Sequence, residues 1–505
     1  MSRVARQAPV SPIAFFYLLV VLASSLFAMA AVGVILVSGL PPWAVLLGPV
    51  AGIGLAGLLV ILQNTERGLY FIAFAIGPLG IVQIEIAGVT VGLAEVLILL
   101  FFTKEACLFF SRLERPAKEL PLKSLLVYAA AVIIAMHTGV KRGNGPIAVL
   151  QDCRQFVEFI ALYLLVVHRV SDWRQVKRIL ACYVLGGVLL AAHGIVERFT
   201  SIGIPLDQVL SDAVHHGGTR SGSFYGATPL GGLLVLTIGA EVALLLCARS
   251  RLHRLLLGAC TALCLTTIVF TNTRASWIAL AIGLAFVFFS IRKSVPIVAV
   301  VVLGGLLFSV TLGPLVVKRM SKLEFSRAER SLLERVDYYT TAWYIFREYP
   351  LRGLGWGCRY TVSDILVNER YVPKREHREI LPKFSSKQST VHSAYLQLLV
   401  KTGLLGLTAF VVFLLQWFGL VWRERRVAQR GSPEHRLFAA VAGAVVGYLC
   451  HSGLENFFQW PVMAQSFWLF LGLSTVMATL ILDEQRAAPP KRIRAAEAGP
   501  ALEEA

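Results

Sequence analysis

Three side chains suited to group transfer stand almost alone at the ends of apolar runs. Arg220 lies in T-R-S-G-S-F-Y-G, Arg274 in T-N-T-R-A-S-W and His392 in V-H-S-A-Y-L-Q. Two guanidinium groups hold a pyrophosphate through charge-assisted, often bidentate hydrogen bonds. A neutral imidazole beside them accepts a proton near pH 7. If the fold brings the three together, they predict transfer of a group from a lipid pyrophosphate to an acceptor hydroxyl.

Each of these residues also has a plainer interpretation. A lone arginine at a helix end is commonly an interfacial anchor, and a lone histidine at a helix start is commonly a cap or a surface group. Glu95, Glu158 and Glu241 lie inside apolar runs, where ionisable groups are functional candidates. The first two are near the outer ends of their runs and are candidates for lining a cavity. Glu241 lies deeper and is a candidate for pairing with a neighbouring helix.

The elements that must position these residues are long apolar segments. The 505 residues are 56% hydrophobic and only 15% charged. Runs of roughly 17–25 apolar residues are long enough to cross the hydrocarbon core, and inside lipid they must be helical. The sequence predicts an all-α, polytopic integral membrane protein with about 14 transmembrane helices and one long extracytoplasmic loop. The predicted spans are 13–38, 42–62, 67–84, 91–110, 122–137, 154–168, 176–196, 228–247, 252–270, 275–291, 295–317, 394–421, 437–457 and 463–482.

The Lys and Arg residues of the short loops predict the orientation. They gather in alternate loops, which places those loops and both termini in the cytoplasm. Arg220, Arg274 and His392 then share the outer face. This loop bias also accounts for most of the net charge of +18, so no nucleic-acid partner is predicted. The cytoplasmic groups are Arg112, Arg115, Lys118 and Lys123; Arg169, Arg174, Lys177 and Arg178; Arg249, Arg251 and Arg254; Arg292 and Lys293; Arg423, Arg425, Arg426, Arg430 and Arg436; and Arg486, Lys491, Arg492 and Arg494.

The long polar stretch 318–393 departs from the alternation of spans and short loops. Within it an apolar stripe at helical spacing predicts an amphipathic helix that ends before Pro350. Gly353, Gly355 and Gly357 then predict a tight turn. The stripe consists of Leu332, Val336, Tyr339, Trp343 and Phe346. The predicted organisation is N-terminal transmembrane helices over 1–197, helices with the outer-face arginine motifs over 198–317, a periplasmic loop over 318–393, C-terminal helices over 394–482 and a disordered cytoplasmic tail over 483–505.

Metal-ligand spacing is missing from the sequence. The eight cysteines include no C-x-x-C pair and no Cys/His cluster of zinc type, and no Asp-x-Asp pair accompanies a nucleotide-sugar motif. We therefore expect no metal and no cofactor, since arginines supply the same electrostatic stabilisation.

Four motifs resemble those of the O-antigen ligase and polymerase superfamily. The V-H-S-A-Y-L-Q segment leads into a helix with G-L-L-G, and Arg335 opens the stretch R-V-D-Y-Y-T-T-A-W-Y-I-F-R-E-Y-P-L-R-G-L-G-W-G. R-S-G-S-F-Y-G-A-T-P-L-G-G is similar to a third family motif, from which it departs at Gly226 and Thr228, where Asn is common. N-T-R-A-S-W-I-A-L is the fourth. The resemblance covers roughly residues 198–480, and the motifs follow one another in the order found in the family.

The resemblance implies a metal-independent, inverting glycosyltransferase in the inner membrane of a bacterium, with its active site facing the periplasm. Its donor would be a glycan on undecaprenyl pyrophosphate, and its acceptor a saccharide or lipid A-core. Arg220 and Arg274 would hold the pyrophosphate, His392 would activate the acceptor hydroxyl, and Arg335 would help to form the pocket. Polysaccharide export proteins or flippases are expected partners beside the lipid bilayer.

Two functions within that superfamily and one outside it stay open. A polymerase of exopolysaccharide or O-antigen repeat units is the leading hypothesis, because the many helices and the 76-residue loop are more typical of polymerases. An O-antigen ligase that attaches finished glycan is the alternative. A lipid-linked oligosaccharide flippase or transporter fits less well, since transporters favour inverted repeats and charges at mid-membrane, and a structural scaffold fits least.

Overall fold

The computed structural model describes residues 64–80, 83–86, 89–112, 121–200, 222–223, 225–291, 325–357, 391–428, 431–457 and 460–487. The predicted spans 13–38, 42–62 and 295–317, and the motif residue Arg220, lie outside the described residues. The chain divides into two compact units, Met1–Phe71 and Ile72–Ala505. Every element discussed below, apart from the start of the first helix, belongs to the second unit.

Twelve helices and one short hairpin make up the described part of the chain. The predominantly helical fold is therefore confirmed. The helices are α1 (Thr65–Ala75), α2 (Leu93–Arg112), α3 (Leu122–Lys141), α4 (Pro146–Arg169), α5 (Trp173–Thr200), α6 (Ala227–Cys247), α7 (Arg251–Phe270), α8 (Arg274–Ser290), α9 (Phe325–Glu348), α10 (Ala394–Val427), α11 (Pro433–Leu454) and α12 (Pro461–Ala487). The strands are β1 (Gln83–Ile86) and β2 (Val89–Gly92), which pair antiparallel.

Seven of these helices are long and apolar enough to cross a membrane: α3, α5, α6, α7, α10, α11 and α12. The helix α8 is apolar throughout but shorter. A multi-span helical membrane protein is therefore confirmed, while the count of about 14 spans stays a prediction. The prediction of a helix over 67–84 is wrong in its second half. Gly77 and Pro78 follow α1, and proline cannot continue a helix with full hydrogen bonding.

Small residues set how closely the central helices pack. The helix α11 lies against α8 and α6. A Cβ atom at Gly447 would lie 2.4 Å from the carbonyl oxygen of Ala279, and one at Gly443 would lie 2.7 Å from that of Gly283. Such contacts let helix backbones approach closely, as is common between membrane helices. They bring the C-terminal end of α11 beside the N-terminal end of α8, where Arg274 stands.

The amphipathic helix of the long loop forms as α9 and ends at Glu348, before Pro350 as predicted. Its buried face differs from the predicted stripe. Ala342 and Ile345 are buried against Val391 and Val400, whereas Tyr339 and Trp343 are 37% and 56% exposed. The side chains of Leu332 and Val336 lie outside the described residues. At the other end of the chain, α12 continues to Ala487, into the segment predicted to be the tail.

Candidate functional site

A single carboxylate joins two of the residues selected from the sequence. Glu455 directly follows α11, and its Oε1 accepts a hydrogen bond from Nη2 of Arg335 at 3.0 Å. Its Oε2 lies 3.0 Å from Nδ1 of His392. Nη1 of Arg335 also donates to the carbonyl oxygen of Leu454 at 3.2 Å. Three separate segments, α9, the residues before α10 and the end of α11, therefore meet at one acidic group.

His392 is held by the start of α10. Ser393 caps that helix by accepting from the backbone N–H of Leu396, and Oε1 of Gln397 accepts from the N–H of Val391 at 3.0 Å. The ring of Tyr338 lies 4.7 Å from the imidazole, centroid to centroid. An imidazole that donates from Nδ1 to a carboxylate carries its lone pair on Nε2. With a side chain 36% exposed, His392 can present that nitrogen to a substrate.

Arg274 is the first residue of α8 and is exposed. Two residues further along this helix, Oγ of Ser276 lies 2.7 Å from Nε2 of the buried His451. His451 precedes Glu455 by one turn, and the N–H of Glu455 donates to its carbonyl oxygen at 2.9 Å. The Ser276–His451 contact thus fixes the helix that begins with Arg274 to the helix end that bears Glu455.

The segment that follows Arg220 is tied to α5 by a buried acid. Oε2 of Glu197, a residue 2% exposed, accepts from the N–H of Gly222 at 2.8 Å and from that of Ser223 at 2.6 Å. Oγ of Ser223 lies 3.0 Å from Nδ1 of His193. Two carboxylate hydrogen bonds fix the backbone two residues beyond Arg220. Arg220 itself lies outside the described residues.

The start of α6 lies beside the start of α8. Oγ1 of Thr273 donates to the carbonyl oxygen of Ala227 at 3.3 Å. The starts of α6 and α8 therefore approach each other at one end of the helices, which is also the end that carries His392 and Glu455.

The glycine-rich segment after α9 holds that helix in place. The N–H groups of Leu354 and Gly355 donate to the carbonyl oxygens of Val400 and Lys401 at 2.8 and 2.9 Å. Oδ2 of Asp152 accepts from the N–H of Gly357 at 2.8 Å. Nζ of Lys401 lies 2.6 Å from the same carboxylate oxygen. This segment is bonded to α4 and α10. It therefore helps to fix the position of α9, the helix that carries Arg335.

The three acids singled out inside apolar runs lie elsewhere. Glu95 forms an ion pair with Arg154, and the fully buried Glu158 is hydrogen-bonded to Gln465. Oε1 of Glu241 lies 3.3 Å from the thiol of Cys264 on α7. Each acid therefore bonds to a neighbouring helix, and these contacts join α2 to α4, α4 to α12 and α6 to α7.

The structure brings two of the predicted site residues together, because His392 and Arg335 both bond to the carboxylate of Glu455. Arg274 lies at the same end of the helices, at the start of α8. Among the described residues, the charged partner of His392 is therefore an acid, where the sequence predicts arginines beside it.

Four of the residues described above were not predicted from the sequence as site residues: Glu455, His451, Ser276 and Glu197. One signal was present: H-S-G-L-E places an acid four residues after a histidine, where a predicted span meets the outer face.

The apolar helices define a multi-span membrane protein, and the polar cluster at one end of them is its candidate site. Residues 259–411 match the family model described as O-antigen ligase. The match supports the predicted resemblance to the O-antigen ligase and polymerase superfamily over this part of the chain. It includes Arg274, Arg335 and His392, whereas Arg220 and Glu455 lie outside it. No curated protein matches the chain.

Among the residues that the structure describes, no group of three His, Cys, Asp or Glu side chains could hold a metal ion. Independence from metals stays a prediction, to be tested by assay.

Proposed function

We propose that this protein is an inverting glycosyltransferase that works on lipid-linked glycan at the outer face of a bacterial inner membrane. It would take a glycan from undecaprenyl pyrophosphate and join it to an acceptor sugar hydroxyl, so polymerising exopolysaccharide or O-antigen repeat units. The observation that carries the proposal is the pair of contacts made by Glu455, one to His392 and one to Arg335. A carboxylate behind an imidazole is the arrangement of a general base whose orientation is fixed by a third group.

In the proposed reaction, Nε2 of His392 takes the proton of the acceptor hydroxyl while the hydroxyl oxygen attacks the anomeric carbon. The new bond joins that oxygen to the anomeric carbon. The bond from the anomeric carbon to the pyrophosphate oxygen breaks, and undecaprenyl pyrophosphate leaves with the electron pair. Attack opposite the leaving group inverts the anomeric configuration. Glu455 stabilises the imidazolium that forms and keeps the ring oriented.

The leaving pyrophosphate gains negative charge as the bond breaks. Arg274, exposed at the start of α8, and Arg220 would stabilise that charge. Groups that bind the leaving group more strongly in the transition state than in the ground state increase the rate of the chemical step. Arg335 has a different role, because its 3.0 Å bond to Glu455 holds that carboxylate in place.

The test is reconstitution of the purified protein with an undecaprenyl-pyrophosphate-linked oligosaccharide. With this donor alone, we expect a ladder of longer lipid-linked glycans and release of undecaprenyl pyrophosphate, in the presence of excess chelator. Product made only when lipid A-core is added would identify a ligase instead. Turnover that is lost in chelator and restored by magnesium or manganese would refute the arginine-based stabilisation.

The division of labour is tested by measuring donor affinity and single-turnover rate separately. His392→Ala should lose roughly 10²–10⁴-fold in rate with little change in donor affinity. Arg274→Ala should lower both the donor affinity and the single-turnover rate. Arg274→Lys should restore little of either, because one ammonium cannot reproduce the guanidinium fork. Near-normal turnover of His392→Ala would require a different base.

A further inference from the structure

The outward aromatic face of α9 has no role in the proposed reaction. Tyr339 and Trp343 stand one turn apart and are 37% and 56% exposed, and the Trp343 ring lies 5.6 Å from that of Phe346. The neighbouring face of the same helix is buried against Val391 and Val400. Large exposed aromatic residues on one side of an otherwise packed helix indicate a binding surface.

The lipid-facing surface of α10 gives the level of the membrane. Backbone angles at Gly403 (φ 65°, ψ −163°) interrupt this helix. The unbroken helical run from Leu404 to Trp422 is about 28 Å long at 1.5 Å per residue, close to the hydrocarbon thickness of roughly 30 Å. It is apolar except for Thr408 and Gln416. Its exposed large apolar side chains are those of Leu404, Leu405, Val411, Val412, Leu415, Phe418 and Trp422. The boundary of the hydrocarbon core therefore falls near Leu404.

The chain segment after α9 meets α10 at this boundary. The carbonyl oxygens of Pro350 and Leu351 accept from the N–H groups of Leu404 and Leu405 at 2.8 and 3.2 Å. The side chain of Leu351 is 60% exposed, beside the first turn of the unbroken helical run. Leu351 therefore joins the end of α9 to the exposed apolar surface of α10 at this boundary. At this level tryptophan and tyrosine are enriched in membrane proteins.

We propose that Tyr339, Trp343 and Leu351 form a membrane anchor, with Leu351 at the edge of the hydrocarbon core and the two aromatic residues among the lipid headgroups. The occupant of this surface is phospholipid. This proposal does not depend on the transfer reaction. The helix also carries Arg335 and Tyr338, so the anchor would fix the depth of the Glu455–His392 pair. If the proposed function holds, this is the depth at which a lipid pyrophosphate presents its anomeric carbon.

The experiment uses full-length protein in phosphatidylethanolamine–phosphatidylglycerol vesicles, with an environment-sensitive fluorophore on a single introduced cysteine. The positions are Trp343→Cys, Leu351→Cys and two controls. Leu415→Cys reports the lipid-facing side of α10, where Leu415 is 62% exposed. Arg486→Cys reports a charged position 57% exposed near the end of α12. Quenching by nitroxides on the lipid headgroup and at two depths along the acyl chain gives the depth of each label.

We expect the label at 343 to be quenched most by the headgroup nitroxide, that at 351 by the shallow chain nitroxide and that at 415 by the deep one. Quenching at 343 and 351 no stronger than at 486 would overturn the proposal. Fluorescence of the labels at 343 and 351 that indicates burial by protein in detergent would also overturn the proposal. So would fluorescence that responds to added glycan and not to lipid nitroxides. The same labelled variants, assayed for transfer, separate a failure of the anchor from a failure of the proposed function.

Discussion

Glu455 uses both carboxylate oxygens, one on the guanidinium of Arg335 and the other on the imidazole of His392. Its side chain is only 12% exposed, whereas that of His392 is 36% exposed. The carboxylate of Glu455 is thus largely shielded from solvent, whereas the imidazole of His392 is accessible to solvent. Removing a partner from a buried hydrogen-bonded charge leaves groups unpaired at a cost larger than the bond itself contributes.

Glu455→Gln tests the orienting role at His392. Glutamine keeps the size but has one acceptor oxygen in place of two and no charge to stabilise the imidazolium. We expect the single-turnover rate to fall by roughly 10- to 10⁴-fold, the range seen when a partner of a reacting histidine is neutralised or removed. Donor affinity should change little. The matched control is Glu105→Gln, an acid whose side chain is 4% exposed and which is paired with Arg169 on other helices. An equal loss in both variants would indicate general destabilisation.

Glu197→Ala tests how the segment after Arg220 is positioned. The change leaves the N–H groups of Gly222 and Ser223 without their shared carboxylate oxygen. We expect donor affinity to fall by roughly 10- to 100-fold, since small displacements of a binding group have effects of this size. Glu197→Gln should recover part of the affinity because its amide oxygen still accepts. Unchanged donor affinity in the alanine variant would separate this segment from donor binding.

At the scale of elements, the interruption of α10 and the glycine-rich segment after α9 depend on each other. The break at Gly403 frees backbone groups near Lys401 and Leu404, and the N–H and carbonyl groups of residues 350–355 bond to them. Gly355 has φ +86°, and a Cβ atom there would lie 2.3 Å from the backbone nitrogen of Gly139. The P-L-R-G-L-G-W-G stretch therefore needs glycine for close contact with α3 as well as for the turn.

Gly355→Ala should displace this segment from α3. Gly143→Ala is the matched control, because Gly143 also has positive φ (+78°) but a Cβ atom there would meet nothing within 4 Å. A left-handed alanine costs on the order of 1–3 kcal/mol, and only Gly355→Ala adds a backbone collision. We expect a clearly larger drop in the thermal midpoint in detergent for Gly355→Ala, together with reduced turnover. Equal drops would show that α3 can move aside.

At the scale of the whole molecule, the two ends of the helices differ in character. One end carries Arg274, His392, Glu455 and the Glu197-bound segment. The other end carries the buried His435–Glu424 pair, where the two side chains meet at 2.8 Å, and Arg425, whose Nη2 donates to the carbonyl oxygen of Phe289 at 3.0 Å. Among the short loops, those at this second end hold most of the Lys and Arg residues, which predicts that this end faces the cytoplasm.

Cysteine labelling in intact cells tests that orientation. In a background without reactive native cysteines, Ser385→Cys should react with a membrane-impermeant maleimide, and Arg430→Cys should react only after the membrane is opened. The reason is that short loops rich in Lys and Arg are retained inside, whereas a long loop crosses regardless of its charge. The reverse labelling pattern would show the opposite orientation, with the proposed site on the cytoplasmic face.

The sequence by itself determined the membrane class and the helices from α2 onward within about a turn or two at most ends, and it singled out Arg274, Arg335 and His392, which the structure places at one end of the helices. Apolar length and charge bias are local properties, and isolated ionisable groups at span ends are visible along the chain. The sequence did not determine that Glu455 joins His392 to Arg335, that Glu197 binds the segment after Arg220, or which face of α9 is buried. Those contacts join residues far apart in the chain. Only the packing of α9 on α10 and of α11 against α8 brings the first set within hydrogen-bonding distance, and only the packing of α5 against α6 brings the Glu197 contacts within that distance.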